Sequence, residues 1–577
     1  MLSLKLQKEL AQAAAKHYSL KPHEVEVTLA RDLGHGDFTS NVALRVASRW
    51  GVTPREAADT LIEELKDSSV LKHLVTKIEM AGPGFINFWL APEVIYKNIK
   101  DSLDWKDWQI WKGEKMIVEY SSPNIAKPMH IGHIRSTIIG QALSNIYEAL
   151  GAKVIRLNHL GDWGTQFGKL IAAYKMWGNK AAVKKQPIAE MLKLYVKFHE
   201  VLKEQPDLEK MGQEEFLKLE QGDRKNRSLW NWFKTESLRE FNVLYRRLKV
   251  KFSQVIGESF YEPLLEGVVF DLLRRKLAFK NEDNSIVVYL EAASLPPCLI
   301  KKSDGGSLYA TRDLAAIQYR AKHFKPVAIL YVVGNEQSLH FEQVFSIATA
   351  AGYSKGIKLE HIKYGLILGE DGQKLATREG KTIPLEEVLD KANNLALEIV
   401  NKKNANLTAK QKMRVAEVVG VGAVKYNDLS QNRLTDITFN WERMLSVEGN
   451  SGPYLQYTYA RLRSILRKSK IESKFSRAKV KTTAADLHNI STEDMLLWRM
   501  IMRYPESLLR AAQENGPHLL ALYLYELAVQ INSFYQNQPV LRAAPEVKVW
   551  RLRLVDEAAQ ILKQGLEILG IETLEEM

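Results

Sequence analysis

Hydrophobic positions recur with two different periods along the chain, and their distribution divides it into three parts. In the first part, "MLSLKLQKELAQAAAKHY" has the spacing of an amphipathic helix, and "VTKIEMAGPGFINFWL" alternates on both sides of Gly82-Pro83-Gly84. Alternation around such a turn is typical of a β-hairpin. Residues 1–110 are therefore predicted to form a small α+β domain.

The second part alternates short apolar runs with long helical patterns. The runs "KMIVEY", "KVIRLNHLGDWG", "AILYVVG" and "HIKYGLILG" have the composition of buried strands. Strands that alternate with helices form a parallel sheet with right-handed crossovers. We expect residues 111–390 to form an α/β domain with a Rossmann-like, doubly wound parallel sheet. A charged helical insertion is predicted at about 175–265.

The third part is helical almost throughout. In "RLRLVDEAAQILKQGLEILGI", five apolar positions share one helix face: Leu554, Ala558, Ile561, Leu562 and Leu569. Such a face predicts an all-α bundle with its own core over residues 391–577. The polar, basic stretch at 470–490 predicts a loop within that bundle.

Composition narrows the class of protein. The 577 residues carry a formal charge of +13 and a pI near 9.3, which fits either a polyanionic partner or a merely basic enzyme. The single cysteine, Cys298, excludes a disulfide framework or a Cys-rich zinc site. No apolar run approaches the ~18 residues that a spanning helix needs. The amphipathic start lacks a signal peptide's apolar core. We expect a soluble cytoplasmic protein, and use in an organelle stays open.

The stretch "YSSPNIAKPMHIGHIRSTIIG" places His130 and His133 around Gly132, where a strand gives way to a helix. Apolar residues then recur every four positions: Ile134, Ile138, Ala142, Ile146 and Leu150. The N–H groups and dipole of a helix N-terminus favour an anion, and glycine admits a ligand close to the backbone. Open α/β sheets bind nucleotides at this kind of junction. The pattern predicts a phosphate site; a pair of helix-capping histidines is the alternative.

The same stretch resembles the HIGH signature of class I aminoacyl-tRNA synthetases, and "SSPNIAKPMHIGHIRSTIIG" resembles its arginyl-tRNA synthetase version. Four further strings are similar to that family in the same order: "NHLGDWGTQFG", "SDGGSLYATRDLAAIQYR", "VEGNSGPYLQYTYARLRS" and "YELAVQINSFYQNQPVL". The resemblance covers essentially the whole chain. It implies ATP-dependent ligation of L-arginine to its cognate tRNA(Arg) through an arginyl-adenylate, releasing AMP and pyrophosphate. It also implies an N-terminal domain on the tRNA D-loop side and an anticodon-binding helical bundle.

The resemblance also implies roles for individual residues. The implied catalytic residues are His130, His133, Lys127 and Lys374. The implied ATP-binding residues are Gly132, His130, His340, Lys374 and Arg378. The implied arginine-binding residues are Glu119, Ser122, Asn124, His133, Tyr309, Asp313 and Gln337. Carboxylates and planar acceptors suit a guanidinium group. Each acid nevertheless has a structural alternative, such as an ion pair of Asp313 with Arg312 or Lys301.

A second signature of the class, the KMSK loop, has its counterpart in "GEDGQKLATREGKTIPLEEVL". Lys374 matches the first lysine, whereas Thr377 and Arg378 stand where the second would lie. In arginyl enzymes a lysine just before the HIGH segment can substitute, and Lys127 occupies that position. The implied tRNA-binding residues are Phe85, Asn87, Asn450, Tyr454, Tyr457, Arg461, Asn532 and Tyr535.

The expected cofactor chemistry is ATP with Mg²⁺ as a substrate complex, with no tightly bound cofactor and no zinc, and a monomer is expected. Three alternatives remain at the level of sequence. Another class I synthetase such as the cysteinyl enzyme would carry zinc-binding cysteines. A non-catalytic RNA-binding paralogue should have lost His130, His133 or Lys374. A nucleotidyltransferase that makes a small cofactor would lack the large helical C-terminal part.

Overall fold

The structure is a computed structural model that describes most of the chain. The described residues are 2–30, 32–94, 109–304, 306, 308–369, 372–373, 383–403, 406–469 and 490–577. Two compact units result: one holds residues 1–109, 454–567 and 572–577, and the other holds residues 110–453 and 568–571. The first and last parts of the chain therefore share one unit. Lys374, Arg378 and the basic stretch at 470–489 lie outside the described residues.

The N-terminal part of the first unit is an antiparallel sheet with three helices. Its elements are α1 (Leu2–Tyr18), β1 (Thr28–Leu29), β2 (Phe38–Ser40), α2 (Val42–Trp50), α3 (Pro54–Lys66), β3 (Val75–Ala81) and β4 (Phe85–Leu90). The strands lie in the order β1-β2-β4-β3. The predicted hairpin is confirmed, because β3 and β4 pair antiparallel on either side of Gly82 and Gly84, both of which have positive φ.

The second unit contains the longest run of mixed elements. In chain order these are β5 (Lys115–Glu119), α4 (Ile131–Ala149), β6 (Lys153–Asn158), α5 (Thr165–Trp177), α6 (Lys180–Lys185), α7 (Pro187–Leu202), α8 (Asp207–Glu220), α9 (Arg224–Arg247), β7 (Gln254–Val255), α10 (Leu265–Arg274), β8 (Ala278–Lys280), β9 (Ile286–Leu290), β10 (Leu295–Lys301), α11 (Tyr309–Phe324), β11 (Ala328–Gly334), α12 (Ser338–Ala350), β12 (Lys358–Tyr364), β13 (Ile367–Leu368), α13 (Leu385–Lys403), α14 (Ala409–Leu429), β14 (Ile437–Thr438) and α15 (Trp441–Leu445).

The central sheet of this unit is fully parallel, which confirms the predicted α/β class. Its five strands lie in the order β12-β11-β5-β6-β7. The chain runs outward in one direction from β5 through β6 to β7, and outward in the other from β11 to β12. The order therefore reverses between β5 and β11. Ligands of open α/β sheets bind at such a switch point, outside the carboxyl ends of the strands.

Helix α4 packs against this sheet, with contacts to β5, β6 and β11. The apolar stripe predicted for it, Ile134 to Leu150, is buried as expected. Most of the other faces of α4 are buried as well, including the polar residues Arg135, Ser136 and Thr137. The helix is thus enclosed by protein, which fixes the position of its N-terminal turn.

Two insertions flank the sheet. The helices α5 to α9 connect β6 to β7, and a three-stranded antiparallel sheet in the order β10-β9-β8 lies between α10 and α11. Thr311 Oγ1 donates to the carbonyl of Ile300, and Gln343 Nε2 donates to the carbonyl of Pro296 at 2.9 Å. These bonds attach the small sheet to α11 and α12.

From α16 onward every described element is a helix, which confirms the predicted helical class of the C-terminal part; the predicted range 391–577 also contains β14 (Ile437–Thr438), which pairs with β13 in the second unit. The helices are α16 (Gly452–Ser469), α17 (Thr492–Met502), α18 (Tyr504–Gln513), α19 (Pro517–Asn537) and α20 (Pro545–Ile568). Within the first unit Ser3 Oγ donates to Glu506 Oε2 at 2.6 Å, and Arg503 Nη2 donates to the carbonyl of Ala30 at 2.8 Å. Among the described residues, no helix combines the length and the apolar character needed to cross a membrane.

Candidate active site

The carboxyl ends of β5 and β11 meet at the switch point of the parallel sheet. Glu119, the last residue of β5, lies opposite Tyr331 in the register of the two strands. A loop leads from β5 to the two histidines at the start of α4, and a short turn leads from β11 to α12. Both connections therefore leave the sheet at the same edge, where a ligand can contact them together.

The loop after β5 holds an unusual backbone conformation. Ser121, Ser122 and Ala126 have φ values of 72°, 46° and 61°, in the left-handed region. Each such non-glycine residue costs on the order of 1–3 kcal/mol. Their N–H groups donate to side-chain oxygens that hold this conformation: Ser136 Oγ at 2.9 Å, Asn158 Oδ1 at 3.2 Å and Ser237 Oγ at 3.0 Å. Strain that is maintained in this way is typical of a functional site.

The same loop positions Asn124, one of the predicted arginine-binding residues. The N–H of Ile125 donates to the carbonyl of Gly161 at 3.1 Å, and the N–H of Gly161 donates to the carbonyl of Pro123 at 3.2 Å. A Cβ atom at position 161 would collide with Asn124 Oδ1, so this close approach requires glycine. Asn124 is exposed, and the buried hydroxyl oxygen of Ser122 has no hydrogen-bond partner among the described residues.

His130 and His133 cap α4 reciprocally. The N–H of Gly132 donates to His130 Nδ1 at 3.1 Å, and the N–H of His130 donates to His133 Nδ1 at 3.1 Å. The ring centroids lie 4.0 Å apart. Because both Nδ1 atoms accept a hydrogen bond, each neutral imidazole carries its proton on Nε2. The capping alternative and the phosphate prediction are therefore compatible, since capping fixes the tautomer that can donate to an oxygen.

His133 is held in its neutral form. Burial and, to a smaller extent, the neighbouring His130 lower its pKa to about 4, against the opposing effect of the backbone hydrogen bond. At neutral pH the residue can therefore donate one hydrogen bond from Nε2 without bringing a charge of its own.

The flank of the KMSK-like segment that the structure describes lies beside these histidines. Residues 129–131 and 383–385 are joined by two backbone hydrogen bonds of 2.9 Å, from the N–H of Ile131 to the carbonyl of Ile383 and from the N–H of Leu385 to the carbonyl of Met129. Lys127 is exposed, and its Nζ lies 5.9 Å from the centroid of the Tyr195 ring.

Arg135, one turn into α4, is almost completely buried. Its Nε donates to Asp428 Oδ2 at 3.0 Å, and Nη1 donates to the carbonyls of Thr435 at 3.0 Å and Leu366 at 3.4 Å. Leu366 directly precedes β13. The helix that carries the histidines is therefore bonded to residues before the KMSK-like segment as well as to residues 383–385 at its end.

Helix α11 brings two of the predicted arginine-binding residues to the same edge. Tyr309 begins the helix and is 66% exposed, and Asp313 follows one turn later. Asp313 Oδ2 lies 2.6 Å from Nε2 of His340, the residue predicted to contact ATP. The alternative partners of Asp313 are engaged elsewhere, since Arg312 pairs with Glu262 and Lys301 with Glu266. Gln337, in the turn after β11, is exposed.

Glu258 is an acidic residue of this site that the sequence analysis missed. It follows β7, a strand of two residues that was not predicted. Burial raises the pKa of its carboxyl to about 7; Arg312 opposes the shift, and the charges of Asp313 and Asp162 add to it. Among the described residues, no cation lies within salt-bridge distance of Glu258. The available signal was slight: two acids in "GESFYEP", directly after Val255 and Ile256.

Asp162 fixes the loop that carries Glu258. Its buried carboxylate accepts from the N–H and Oγ of Ser259 at 2.9 Å each, and from Lys234 Nζ at 2.6 Å. A Cβ atom at position 257 would collide with this carboxylate, so Gly257 is required for the contact. Asp162 therefore acts as a support for Glu258.

Glu119 does not face the site as a lone carboxylate. It is buried, and its Oε2 lies 2.5 Å from Nη1 of Arg320, which is also buried. Arg320 was not predicted as a site residue, although it lies seven positions after Asp313, on the same face of α11.

Five predicted tRNA-binding residues form one cluster in the first unit. Arg461 Nη1 donates to Asn532 Oδ1 at 2.7 Å, and Asn532 Nδ2 donates to the Tyr454 hydroxyl at 2.8 Å. The Arg461 guanidinium carbon lies 4.9 Å from the Tyr457 ring centroid and 5.6 Å from that of Tyr535. A cavity of about 760 Å³ adjoins the cluster, and further cations line it: Arg467, Lys468 and Arg542.

The other three predicted tRNA contacts are placed differently. Asn450 belongs to the second unit, where its Oδ1 accepts from the Tyr426 hydroxyl at 2.7 Å. Phe85 is exposed at the start of β4, whereas Asn87 is buried. In this conformation Phe85 can meet a partner at the surface, and the amide of Asn87 cannot.

Three family models match the chain. The model described as "tRNA synthetases class I (R), catalytic domain" matches residues 100–441. The model described as "DALR anticodon binding domain" matches residues 455–577, and "Arginyl tRNA synthetase N terminal domain" matches residues 4–90.

Individual proteins are similar over nearly the whole chain. An arginine–tRNA ligase of Fusobacterium nucleatum is 42% identical over 562 residues, which covers 97% of this chain and 96% of that protein. One of Clostridioides difficile is 40% identical over 559 residues, covering 96% and 95%. The solved arginyl-tRNA synthetase of Plasmodium falciparum superposes with a TM-score of 0.83 at 27% identity, covering 100% of this chain and 99% of that one.

Proposed function

Because the chain belongs to the arginyl-tRNA synthetase family of class I, we propose that it ligates L-arginine to tRNA(Arg) in a reaction that consumes ATP. The matches to this family also confirm the resemblance that the motif strings indicated. In the first step the arginine carboxylate attacks the α-phosphate of ATP, forming arginyl-adenylate and pyrophosphate. In the second, the 2′-hydroxyl of the terminal adenosine of tRNA attacks the adenylate, giving arginyl-tRNA and AMP.

The first step requires no general base, because the attacking carboxylate is already ionised. Catalysis then consists of positioning and of stabilising negative charge on phosphate oxygens. We assign this to His130 and His133, and the observation that carries the assignment is the capping that leaves Nε2–H as their donor. Gly132 lets the phosphates approach the helix N-terminus. Lys127 and Lys374 are proposed to bind the departing pyrophosphate, with Arg378 in a supporting role.

The arginine side chain is proposed to bind between α11 and the loop after β7. Asp313 and Glu258 supply carboxylates for the guanidinium, and Tyr309 offers an exposed ring at the start of α11. Ser122, Asn124 and Gln337 supply polar groups for the α-amino and carboxylate ends. His340 contacts Asp313 and is proposed to bind the adenosine of ATP. Because buried polar partners reject uncharged analogues strongly, this pocket needs no editing site.

We propose that tRNA binds through both parts of the first unit. The cluster of Arg461 with Tyr457 and Tyr535 combines a cation with exposed rings, as in sites for unstacked bases. Tyr454 and Asn532 brace Arg461 through the hydrogen bonds described above. Phe85 is proposed to stack on a base of the D-loop, and Asn87 to support it from the sheet. Asn450 is proposed as a contact from the second unit.

Magnesium is proposed to enter with ATP. Among the described residues, no group of three or more His, Cys, Asp or Glu side chains is arranged to hold a metal ion. Mg²⁺ in nucleotide sites is commonly bound by substrate phosphates and only one or two protein carboxylates. We further propose that the enzyme acts as a monomer in the cytoplasm, where its three substrates occur together.

The decisive test is charging of tRNA with labelled amino acids. The purified protein is incubated with ATP, Mg²⁺ and tRNA, and each of the 20 amino acids is supplied in turn. Arginine alone should be attached. Pyrophosphate exchange is measured with tRNA present, because family members usually require tRNA for the first step. Attachment of a different amino acid, or none, would refute the proposed function.

A further inference from the structure

A guanidinium group of the protein itself lies at the end of β5. Arg320 is completely enclosed, and among the described residues the carboxylate of Glu119, 2.5 Å away, is its one ion-pair partner. Neither Glu119 Oε2 nor Arg320 Nη1 makes a well-directed hydrogen bond, so the pair is held mainly by the attraction of opposite charges. Burying one of these ions alone would be very unfavourable, and together they can remain ionised.

The surroundings of Arg320 are aromatic. Its guanidinium carbon lies 5.8 Å from the Tyr261 ring centroid and 5.6 Å from that of Tyr331. His159 Nδ1 lies 3.4 Å from its Nη2. Burial alone would lower the pKa of Arg320, but Glu119 together with Tyr261 and Tyr331 outweighs this effect, holds the pKa above its ordinary value and keeps the residue cationic. The hydroxyls of Tyr261 and Tyr331 stay protonated, because burial raises the pKa of both.

The other acids around the site divide into paired and unpaired groups. Asp162 is paired with Lys234, and Asp313 contacts His340. Glu262 is paired with Arg312, and Glu119 with Arg320. Glu258 has no such partner among the described residues. A substrate guanidinium at Glu119 would therefore meet Arg320 as a like charge, whereas at Glu258 it would meet an acid that still needs a cation.

We propose that Arg320 is a positioning residue of the arginine pocket: it neutralises Glu119 and thereby directs the substrate guanidinium to Glu258 and Asp313. The inference rests on the proposed function. It reassigns Glu119 from a direct partner of the substrate guanidinium to a structural acid at the end of β5.

The route of this effect is short. Glu119 is followed by Tyr120 and then by the strained residues Ser121 and Ser122. The ion pair fixes the last residue of β5 from the side of α11, the same helix that carries Asp313. Arg320 therefore sets the distance between the loop that bears Asn124 and the carboxylate that receives the guanidinium.

The proposal is tested by a double-mutant cycle on the pair, with arginine and ATP kinetics measured separately. Arg320→Met and Glu119→Gln each leave one buried group without its partner. Each should raise the KM for arginine at least about tenfold and change the KM for ATP less than about threefold. Removing both charges, in Glu119→Gln/Arg320→Met, should lower the KM for arginine at least about threefold relative to either single variant. Arg320→Lys, which keeps the charge, should lie between wild type and Arg320→Met.

The controls separate positioning from general damage. Lys322→Met removes an exposed cation from the same helix and should leave both KM values unchanged. If Arg320→Met does not fold, the proposal is tested by the KM for arginine of Arg320→Lys and of the double variant, each compared with the KM of Glu119→Gln. A double variant no better than Glu119→Gln would make Glu119 the direct partner of the substrate and overturn the proposal. Equal effects on arginine and ATP would also overturn it. Failure of the wild type to charge tRNA with arginine would instead refute the proposed function.

Discussion

The active site and the Arg461 cluster both combine cations with aromatic rings, yet they are built in opposite ways. At the end of the parallel sheet, charges are buried and already paired: Arg320 with Glu119, and Asp162 with Lys234. In the helical cluster, the rings of Tyr457 and Tyr535 remain 42% and 45% exposed around Arg461. A site that performs chemistry on a small substrate requires fixed distances. A site that binds RNA can rely on accessible stacking surfaces.

The comparison predicts that substitutions in the two regions affect different kinetic constants. The largest effect is expected at Asp313, because its carboxylate is proposed to be a partner of the substrate guanidinium. Asp313→Ala should reduce kcat/KM for arginine by ~10³–10⁴-fold, as the removal of one partner of a buried charge pair costs about 4–5 kcal/mol. The measurement is steady-state charging with varied arginine.

Binding of tRNA to Asp313→Ala, measured by filter retention, should stay within about threefold of wild type. Loss of tRNA binding together with charging would give Asp313 a structural role and remove the distinction between the regions. Asp313→Asn is the matched variant, because it preserves the shape of the side chain and its contact with His340.

His133 is expected to show the next largest effect. His133→Ala removes a neutral donor and should slow adenylate formation by ~10²–10³-fold, as does removal of one preorganised donor to a developing negative charge. Pyrophosphate exchange with tRNA present measures this step. His133 also caps α4, so His133→Asn, which can retain the cap acceptor, distinguishes an effect on capping from an effect on catalysis. An exchange rate within about threefold of wild type in the alanine variant would contradict the assignment.

His130 and His133 also show what could be predicted from sequence and what could not. The spacing of His130 and His133 before an apolar stripe predicted the start of α4 correctly and led to the proposed phosphate site, because periodicity and helix polarity are local properties. The tautomer was not predictable, since it depends on which backbone N–H groups reach each ring. The β3–β4 hairpin and the helical C-terminal part were likewise readable from local pattern.

Residues whose roles depend on partners far away in the sequence could not be predicted from local pattern. Glu258 follows a strand of only two residues, whose place in the sheet depends on pairing with β6 rather than on its own composition. Arg320 looks like an ordinary charge on a helix until the fold places Glu119 against it. Asn87 illustrates the reverse case, because alternation along β4 did not reveal that the strand would lie between β2 and β3 with Asn87 buried.

Arg461 gives the complementary test in the helical region. Arg461→Ala should weaken tRNA binding by roughly tenfold, because it removes a cation and the support for two stacking rings, together worth about 1–3 kcal/mol. The slope of log affinity against log salt should become shallower by about 0.7 for each phosphate that Arg461 neutralises in the wild type. Both are measured by binding titrations at several salt concentrations. Pyrophosphate exchange at saturating tRNA should not change; a fall in that rate would mean that the cluster also acts on the chemistry.

The smallest expected effect concerns pH and Glu258. Its pKa is raised to about 7, mainly by burial, so below that pH the acid is neutral and cannot pair with a guanidinium. The KM for arginine should therefore rise by up to about tenfold between pH 8 and pH 6. The charged groups nearest to Glu258 are Arg312, Asp313, Asp162 and Glu262. Glu258→Gln should raise the KM for arginine at pH 8 and remove this pH dependence.

The same group affects stability. Since the folded state holds the extra proton between about pH 4.5 and 7, Glu258 lowers the free energy of unfolding as pH rises through that range, and Glu258→Gln should abolish this slope too. A pH dependence that persisted in the variant would place the titrating group elsewhere, and the unpaired acid would no longer distinguish this site from the Arg461 cluster.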